Sequence, residues 1–215
     1  MIAPSLKVLL AAIRSKEAPK GYGQTYSGAK GVPRDTDVSK MTLGDVLRFQ
    51  QRMKNSGSFS TACGGYQFIN KTLKATIAQM GLSLDLVWNA DLQDRMAIWL
   101  LEGRGLSKFM AGKLSAEDFA NNLSMEWASL PVVKSSNNIG SVFYLKKVGA
   151  SFYDGDGLNK AHITPTYILA LVHNLRSGGI APPAPVPVHE APADKPHGLM
   201  TALFNFFTQL FERKK

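Results

Sequence analysis

One glutamate, Glu17, is placed by the sequence where its side chain could serve as an acid. It extends the apolar stripe of a helical pattern, because it falls four residues after Ile13 and seven after Leu10. Burial disfavours the charged form of a carboxyl group, and the negative end of the helix dipole acts in the same direction. A carboxyl group that keeps its proton at neutral pH can work as a general acid. Arg14 and Lys16 could favour the charged form instead, and periodicity by itself fits an exposed glutamate at a helix end better.

The other side chains that could do chemistry are one cysteine and two histidines. Cys63 is the single cysteine, which excludes an internal disulfide framework and a cysteine-rich metal site. It precedes a predicted helix, where a thiolate is stabilised, and His162 or His173 could act as its base. The histidines have no metal-ligand spacing, and the Asp-Gly-Asp-Gly-Leu-Asn segment at 154–159 does not match the ligand register of a calcium loop. The sequence therefore predicts no metal and no cofactor.

A run of helices with short connections must position these side chains. Apolar residues recur at spacings of three and four, and capping residues precede several of the patterns. Strand signals are confined to residues 22–27 and 56–61. The sequence predicts a mainly helical α+β fold with a small β-element. The six predicted helices begin at or near Ser5, Thr42, Ile69, Leu92, Ser115 and Thr164. Trp127 lies on the apolar face of the fifth of these helices.

Composition divides the chain into three parts. Residues 1–177 are long enough and apolar enough to form one compact catalytic domain. Residues 178–198 are rich in proline and predict a semi-rigid tether. Residues 199–215 return to a helical pattern with a wide apolar face and a cationic end. This C-terminal helix either docks on the domain, which its scarcity of cations favours, or lies on a membrane surface.

The charge of the chain favours an anionic partner. The 25 Lys and Arg residues outnumber the 16 Asp and Glu residues, which gives a formal charge of +9. Cell wall, lipid headgroups and nucleic acid all fit such a balance. Nucleic acid is not expected, because the basic residues are scattered and no recognition motif accompanies them. Neither a signal peptide nor a stretch of about 18 apolar residues that could span a bilayer is recognisable.

Four separated segments of the sequence, taken in their order along the chain, indicate a family. A helix ending in Glu17 is followed by an aromatic loop, and residues 60–67 read Ser-Thr-Ala-Cys-Gly-Gly-Tyr-Gln. Leu-Gln-Asp at 92–94 precedes Gly-Arg-Gly at 103–105, and residues 127–131 read Trp-Ala-Ser-Leu-Pro. Together they resemble the endolysins like that of phage lambda, within the lysozyme and lytic transglycosylase superfamily. The chain departs from the family at Cys63, where the family has Ala, and at Gly65, where it usually has Arg, so one cationic contact to substrate is expected to be missing.

The resemblance covers about residues 5–175 and implies a lysozyme-like fold with a cleft between the N-terminal and central helices. It places the family's catalytic acid at Glu17. Gln67, expected at the start of the third helix, would hydrogen-bond a sugar and orient the acid. Tyr26, Tyr66 and Ser60 would contact sugar rings, although packing is an equal alternative for each of them.

The chemistry implied is cleavage of peptidoglycan between N-acetylmuramic acid and N-acetylglucosamine. A lytic transglycosylase needs one carboxyl group, whereas a hydrolase needs a second carboxylate roughly 5 to 9.5 Å away. Asp35 and Asp37 are the first candidates for that partner, followed by Glu102 and Glu126, and a surface or helix-terminal charge is the favoured role of each. The lack of a clear partner favours a transglycosylase.

The chain is most similar to the lysins of enveloped double-stranded-RNA bacteriophages, the cystoviruses. The resemblance implies a virion protein between envelope and nucleocapsid that digests the wall in the host periplasm during penetration and release. Its partners would be bacterial peptidoglycan and phage capsid or envelope components. Two other functions are open: an endopeptidase that cuts the cross-link between diaminopimelate and D-alanine with Cys63 as nucleophile, and a non-catalytic wall-binding protein, against which the presence of Glu17 argues.

Overall fold

The computed structural model describes residues 2–139, 142–154 and 159–178. Within these ranges the chain is mainly helical, which confirms the predicted fold class. One antiparallel hairpin pairs Ser136 with Leu145 and Ile139 with Val142. The elements are α1 (Pro4–Glu17), a short 3-10 helix (Val38–Lys40), α2 (Leu43–Asn55), α3 (Asn70–Met80), α4 (Ala90–Gly103), α5 (Leu106–Met110), α6 (Ala116–Ser124), β1 (Ser136–Ile139), β2 (Val142–Leu145) and α7 (Pro165–Ser177).

Most of the predicted helix boundaries are confirmed by the capping contacts. The side chains of Thr42, Ser115 and Thr164 each accept a hydrogen bond from a backbone N–H three residues later. The prediction for α1 is wrong by two residues, since Ala3 is its N-cap and Ser5 lies buried inside the helix. Pro4 opens this helix because a proline at the first helical position has no N–H that would need a partner.

The structure differs from the sequence-based prediction at three further points. Residues 22–27 and 56–61 form no strands, and the first of these segments contributes only a bridge between Thr25 and Cys63. The hairpin and the five-residue helix α5 were not predicted, because short elements provide too few positions for a periodic pattern. Trp127 lies beyond the end of α6 at Ser124, so it belongs to the following turn.

The core forms where the first and last helices meet. Helix α1 packs on α7, and α6 packs on the same helix. The α1 side chains Leu9, Leu10 and Ile13 are almost fully buried in this core, together with Leu171 of α7. The apolar stripe of α1 therefore faces inward as its periodicity predicts, and it directs the helix's C-terminal end into the protein.

A buried loop, residues 61–68, crosses this core without regular backbone pairing. Besides backbone hydrogen bonds such as that from the Tyr26 N–H to the Ala62 carbonyl, two fully buried amide side chains hold this loop. Gln50 of α2 donates to the carbonyls of Thr61 and Phe68, both at 2.8 Å. Gln93 of α4 accepts from the Gly65 N–H at 2.7 Å. The same Gln93 amide donates to the carbonyls at positions 22 and 88, so it joins three segments of the chain.

Two predictions concern residues outside the described ranges. The tether at 178–198, apart from its first residue, and the C-terminal helix at 199–215 both fall there, as does the 155–158 part of the glycine-rich segment. In the part of the chain that the structure covers, no helix has the length and apolar character needed to cross a bilayer.

Replacing Gln93 with Leu should destabilise the protein strongly. The change leaves the Gly65 N–H and two carbonyl groups buried without partners, and each such group costs about 1–3 kcal/mol. We expect the melting temperature measured by circular dichroism to fall by at least about 5 °C. The control is Gln51→Leu, because the Gln51 amide bonds only Asn55 at the surface. Similar melting temperatures for the two variants would contradict the role given to Gln93.

Candidate active site

Glu17 is the last residue of α1, and its side chain enters a small cavity. The next residue, Ala18, closes the helix by donating its N–H to the Arg14 carbonyl at 2.8 Å. The cavity holds about 40 Å³, which is room for very few water molecules. Its wall also includes Ala62, Tyr66, Gln67, Phe68, Ile69, Thr72, Leu100, Glu126, Trp127 and Ala128. This wall is apolar on most sides, and it surrounds a carboxyl group that retains only part of its exposure to solvent.

The surroundings of Glu17 favour its protonated form. Burial among protein atoms is the main cause that raises the pKa of the carboxyl group, and the negative charge of Glu126 raises it further. The hydroxyl and the backbone N–H of Ser129 act in the opposite direction. That N–H donates to Oε1 of Glu17 at 3.3 Å. The net direction is upward, as the inward position of Glu17 in the sequence predicts.

The two cations that precede Glu17 in the sequence act elsewhere. The Arg14 guanidinium lies over the ring of Tyr22, 4.5 Å from its centroid. Lys16 is exposed, and its charge contributes to a lowered pKa of His162, for which burial is the larger cause. Neither cation is among the groups that shift the pKa of Glu17. These two cations therefore do not offset the upward shift of the Glu17 pKa.

Glu126 is the carboxylate that shares the cavity with Glu17. Its Oε2 accepts a hydrogen bond from Nε of Arg104 at 2.8 Å and forms an ion pair with Nη2 of the same residue at 2.8 Å. The pair is well buried, with side-chain exposures of 9% for Glu126 and 14% for Arg104. The negative charge of this carboxylate acts on Glu17, whose pKa it raises.

The other three carboxylates considered as partners do not line the cavity of Glu17. Asp37 caps the 3-10 helix, and its pKa is lowered mainly by the hydroxyl hydrogen bond from Ser39. Asp35 is exposed. Glu102 accepts hydrogen bonds from the backbone and hydroxyl of Ser107 near the start of α5. Of the four candidates, only Glu126, which ranked behind the two aspartates, is placed beside Glu17.

Two of the four predicted substrate-binding residues reach this cavity. Tyr66 is buried, and its hydroxyl donates to Oδ1 of Asp94 at 2.6 Å. Gln67 does not begin α3 as predicted, since that helix starts at Asn70. It has a positive φ of 51°, which is an uncommon conformation outside glycine, and its amide donates to the Gly64 carbonyl at 2.8 Å. This turn directs the Gln67 side chain toward the cavity, so the sequence identified the residue but not its local structure.

The other two predicted contact residues support the buried loop instead. The Tyr26 backbone N–H donates to the Ala62 carbonyl at 2.9 Å, and its side chain packs on the core. Ser60 is buried, and its hydroxyl accepts from the Ala62 N–H at 3.0 Å. Neither residue lines the Glu17 cavity. The observed contacts of Tyr26 and Ser60 are packing and loop contacts, which is the alternative that the sequence left open for them.

Cys63 is unsuited to be a nucleophile. Its side chain is fully buried, and burial raises the pKa of the thiol to about 12. His162 and His173, which the sequence offered as bases, are exposed. A thiol without solvent access that is almost wholly protonated at neutral pH cannot attack a peptide bond. Trp127, which the sequence placed on an apolar helix face, is buried, and it contributes to the cavity wall.

Several residues of the site were not singled out from the sequence. Ser129 bonds the Glu17 carboxyl group, and Asp94 receives the hydroxyl hydrogen bonds of Tyr22 and Tyr66. Both residues lie inside the segments on which the family resemblance rests. The sequence therefore contained a signal for Asp94 and Ser129, but it assigned neither residue a role. Among residues 2–139, 142–154 and 159–178, no group of three or more potential metal ligands comes together.

Comparison with known proteins gives one match. A model of the Endolysin family matches residues 19–148, which is more than half of the chain. The matched range starts just after Glu17 and includes the loop at 61–68, Arg104 and Glu126. No curated protein and no solved structure gives a significant match. The extent of the match places this chain in the Endolysin family of phage cell-wall lytic, peptidoglycan-degrading enzymes.

Proposed function

We propose that this endolysin cleaves the bond between N-acetylmuramic acid and N-acetylglucosamine, with Glu17 as the acid, and that it acts as a lytic transglycosylase. The observation that carries the proposal is a carboxyl group held in a mostly apolar cavity, where burial raises its pKa. The family assignment supplies peptidoglycan as the substrate. A proton donor that is still protonated at neutral pH matches what breaking a glycosidic bond requires.

The proposed reaction uses one carboxyl group twice. Glu17 first transfers its proton to the glycosidic oxygen, and the bond from that oxygen to C1 of the muramic acid breaks. The Glu17 carboxylate, stabilised by the Ser129 N–H, then takes the proton of the C6 hydroxyl of the same sugar. The oxygen of this C6 hydroxyl bonds to C1 and closes a 1,6-anhydro ring. No water is consumed, and Glu17 is protonated again.

The pairing of Glu126 supports this scheme over hydrolysis. A hydrolase needs its second carboxylate to act on water or on the sugar. Here Oε2 of Glu126 accepts a hydrogen bond from Arg104 and forms an ion pair with it inside the protein. We therefore assign Glu126 the task of keeping Glu17 protonated by its charge, which is the effect that two neighbouring carboxyl groups exert on each other.

Replacing Glu17 with Gln should reduce the rate of wall digestion by about 10²- to 10⁴-fold, the usual contribution of a general acid. The rate is measured as the clearing of a suspension of purified sacculi. Mass spectrometry of the wild-type digest should find 1,6-anhydro ends. Reducing sugar ends would indicate a hydrolase, freed amino groups an endopeptidase, and undigested sacculi a non-catalytic protein. Full activity of Glu17→Gln would rule out the proposed acid.

The control for this variant is its stability. The raised pKa means that the folded wild-type protein loses stability as the pH rises through and above the usual range of a glutamate. Gln carries no charge and can still accept from the Ser129 N–H. Glu17→Gln should therefore melt at the same temperature as wild type or higher at pH 7, with the difference vanishing at low pH.

Replacing Glu126 with Gln should move the pH profile of digestion. Activity needs protonated Glu17, so it falls as the pH rises through the pKa of that group. Removing the negative charge of Glu126 lowers this pKa. The alkaline limb of the profile should therefore shift to lower pH. The exposed Glu117→Gln change in α6 serves as control, and an equal profile for both variants would contradict the assignment.

For location, we propose that the protein lies between the envelope and nucleocapsid of an enveloped double-stranded-RNA phage and acts in the host periplasm. The charge of +9 suits the anionic wall, and residues 199–215 provide an apolar segment for the envelope or the domain. An antibody against the chain should then detect it in purified particles, and detergent that strips the envelope should expose it. Its absence from the particles would refute this location.

A further inference from the structure

A second and much larger depression lies on the other side of Tyr66 from the Glu17 cavity. It is a groove of about 1040 Å³ between α1 and the N-terminal half of α4. Tyr66 lines both the groove and the cavity, so one side chain forms the wall between them. A ligand in the groove would therefore lie beside the glutamate without occupying its cavity.

The groove displays three cations, Lys7, Arg14 and Arg95. Within the part of the chain that the structure describes, none of them forms an ion pair. Nε of Arg14 is buried and has no hydrogen-bond partner there. This Nε is out of a ligand's reach, so what Arg14 offers to a ligand is the positive charge of its guanidinium, which lines the groove and has no ionic partner among the described residues.

The position of Arg14 is set by its neighbours. A Cβ atom at Gly65 would come within 2.8 Å of Cδ of Arg14 and within 2.9 Å of Cδ1 of Tyr22. Only a glycine at position 65 leaves room for the arginine and the tyrosine ring to stack against the loop. The guanidinium is thereby held at the groove wall before any ligand binds, which lowers the entropy lost on binding.

The rest of the groove combines negative and apolar groups. Oδ1 of Asp94 accepts from the hydroxyls of Tyr22 and Tyr66, at 2.8 and 2.6 Å, and this bonding makes the wall rigid. Asp91 is exposed near the start of α4 and forms no ion pair within the described residues. Leu6 and Leu10 of α1 supply an apolar floor. A ligand that fits must offer carboxylates, a cationic group and small apolar groups together.

We propose that this groove binds the peptide stem of peptidoglycan. The stem's carboxylates would pair with Arg14 and Arg95, its diaminopimelate ammonium group with Asp91, and its alanine methyl groups would rest on Leu6 and Leu10. The neutral sugars of the glycan offer no such charges. The proposal rests on the proposed function for the choice of peptidoglycan, and it adds that the enzyme reads the peptide as well as the sugar.

The test uses full-length Glu17→Gln protein and isothermal titration calorimetry. The probes are a disaccharide-tetrapeptide containing diaminopimelate and the same disaccharide with its lactyl group capped as an uncharged amide, because a free lactyl group would itself be a carboxylate. We expect the first to bind at least about tenfold more tightly, since loss of one charged contact costs about 1.5–3 kcal/mol. Adding Arg14→Gln and Arg95→Gln should remove this difference. Equal affinities for both probes before those changes would overturn the proposal.

Two controls make the result specific. Lys108→Gln removes an exposed cation of α5 that does not line the groove, and it should leave both affinities unchanged. Because Arg14 also packs on Tyr22, the exposed pair Lys7→Gln and Arg95→Gln is tested separately, and it should weaken only the peptide-bearing probe. Wild-type affinity in that second variant, at an unchanged melting temperature, would overturn the proposal.

Two further measurements distinguish this inference from a different occupant of the groove and from the proposed function. Binding of the peptide-bearing probe only after deletion of residues 199–215 would assign the groove to that segment and overturn the proposal. In the active enzyme, Arg95→Gln should raise KM with kcat unchanged, because the residue lies outside the cavity of the acid. Retained lysis by Glu17→Gln would remove the proposed acid and leave the binding result standing, so the two proposals fail separately.

Discussion

The architecture of the site depends on one constraint, which is that the irregular loop at 61–68 is buried and its backbone polar groups must find partners. Gln50 and Gln93 meet that need with fully buried amides that come from α2 and α4. They replace the ladder of a regular sheet with side-chain hydrogen bonds. Because the loop carries Tyr66 and Gln67 and also holds the Tyr22 segment through Gln93, both sides of the site are set by these two amides.

The loop divides two environments with opposite electrostatic character. On one side Glu17 meets mostly apolar groups and the carboxylate of Glu126, which forms an ion pair with Arg104. Burial and the negative charge of Glu126 both raise the pKa of Glu17. On the other side the groove is lined by charged side chains, and Lys7, Arg14, Arg95 and Asp91 form no ion pair within the described residues. Tyr66 lines both environments.

Local sequence signals were sufficient to predict most of the helices. Thr42 and Ser115 cap helices that the sequence predicted at these positions, and Gly81 ends α3 in a left-handed conformation with φ of 62°. Such signals act within one turn, so a linear reading captures them. The segments at 22–27 and 56–61 were misread as strands because strand formation depends on a partner elsewhere in the chain. The same dependence explains why the hairpin at 136–145 was not foreseen.

The sequence by itself determined which side of α1 is buried, because apolar residues at helical spacing mark that side. It left open whether Glu17, at the end of this stripe, is enclosed or exposed, and it supplied the family segments as contiguous strings. Only the tertiary structure decided that Glu126 is the carboxylate beside Glu17, more than a hundred residues along the chain, and that Cys63 is enclosed in the core. Burial and charge coupling are properties of atoms brought together by packing, and no spacing along one segment encodes them.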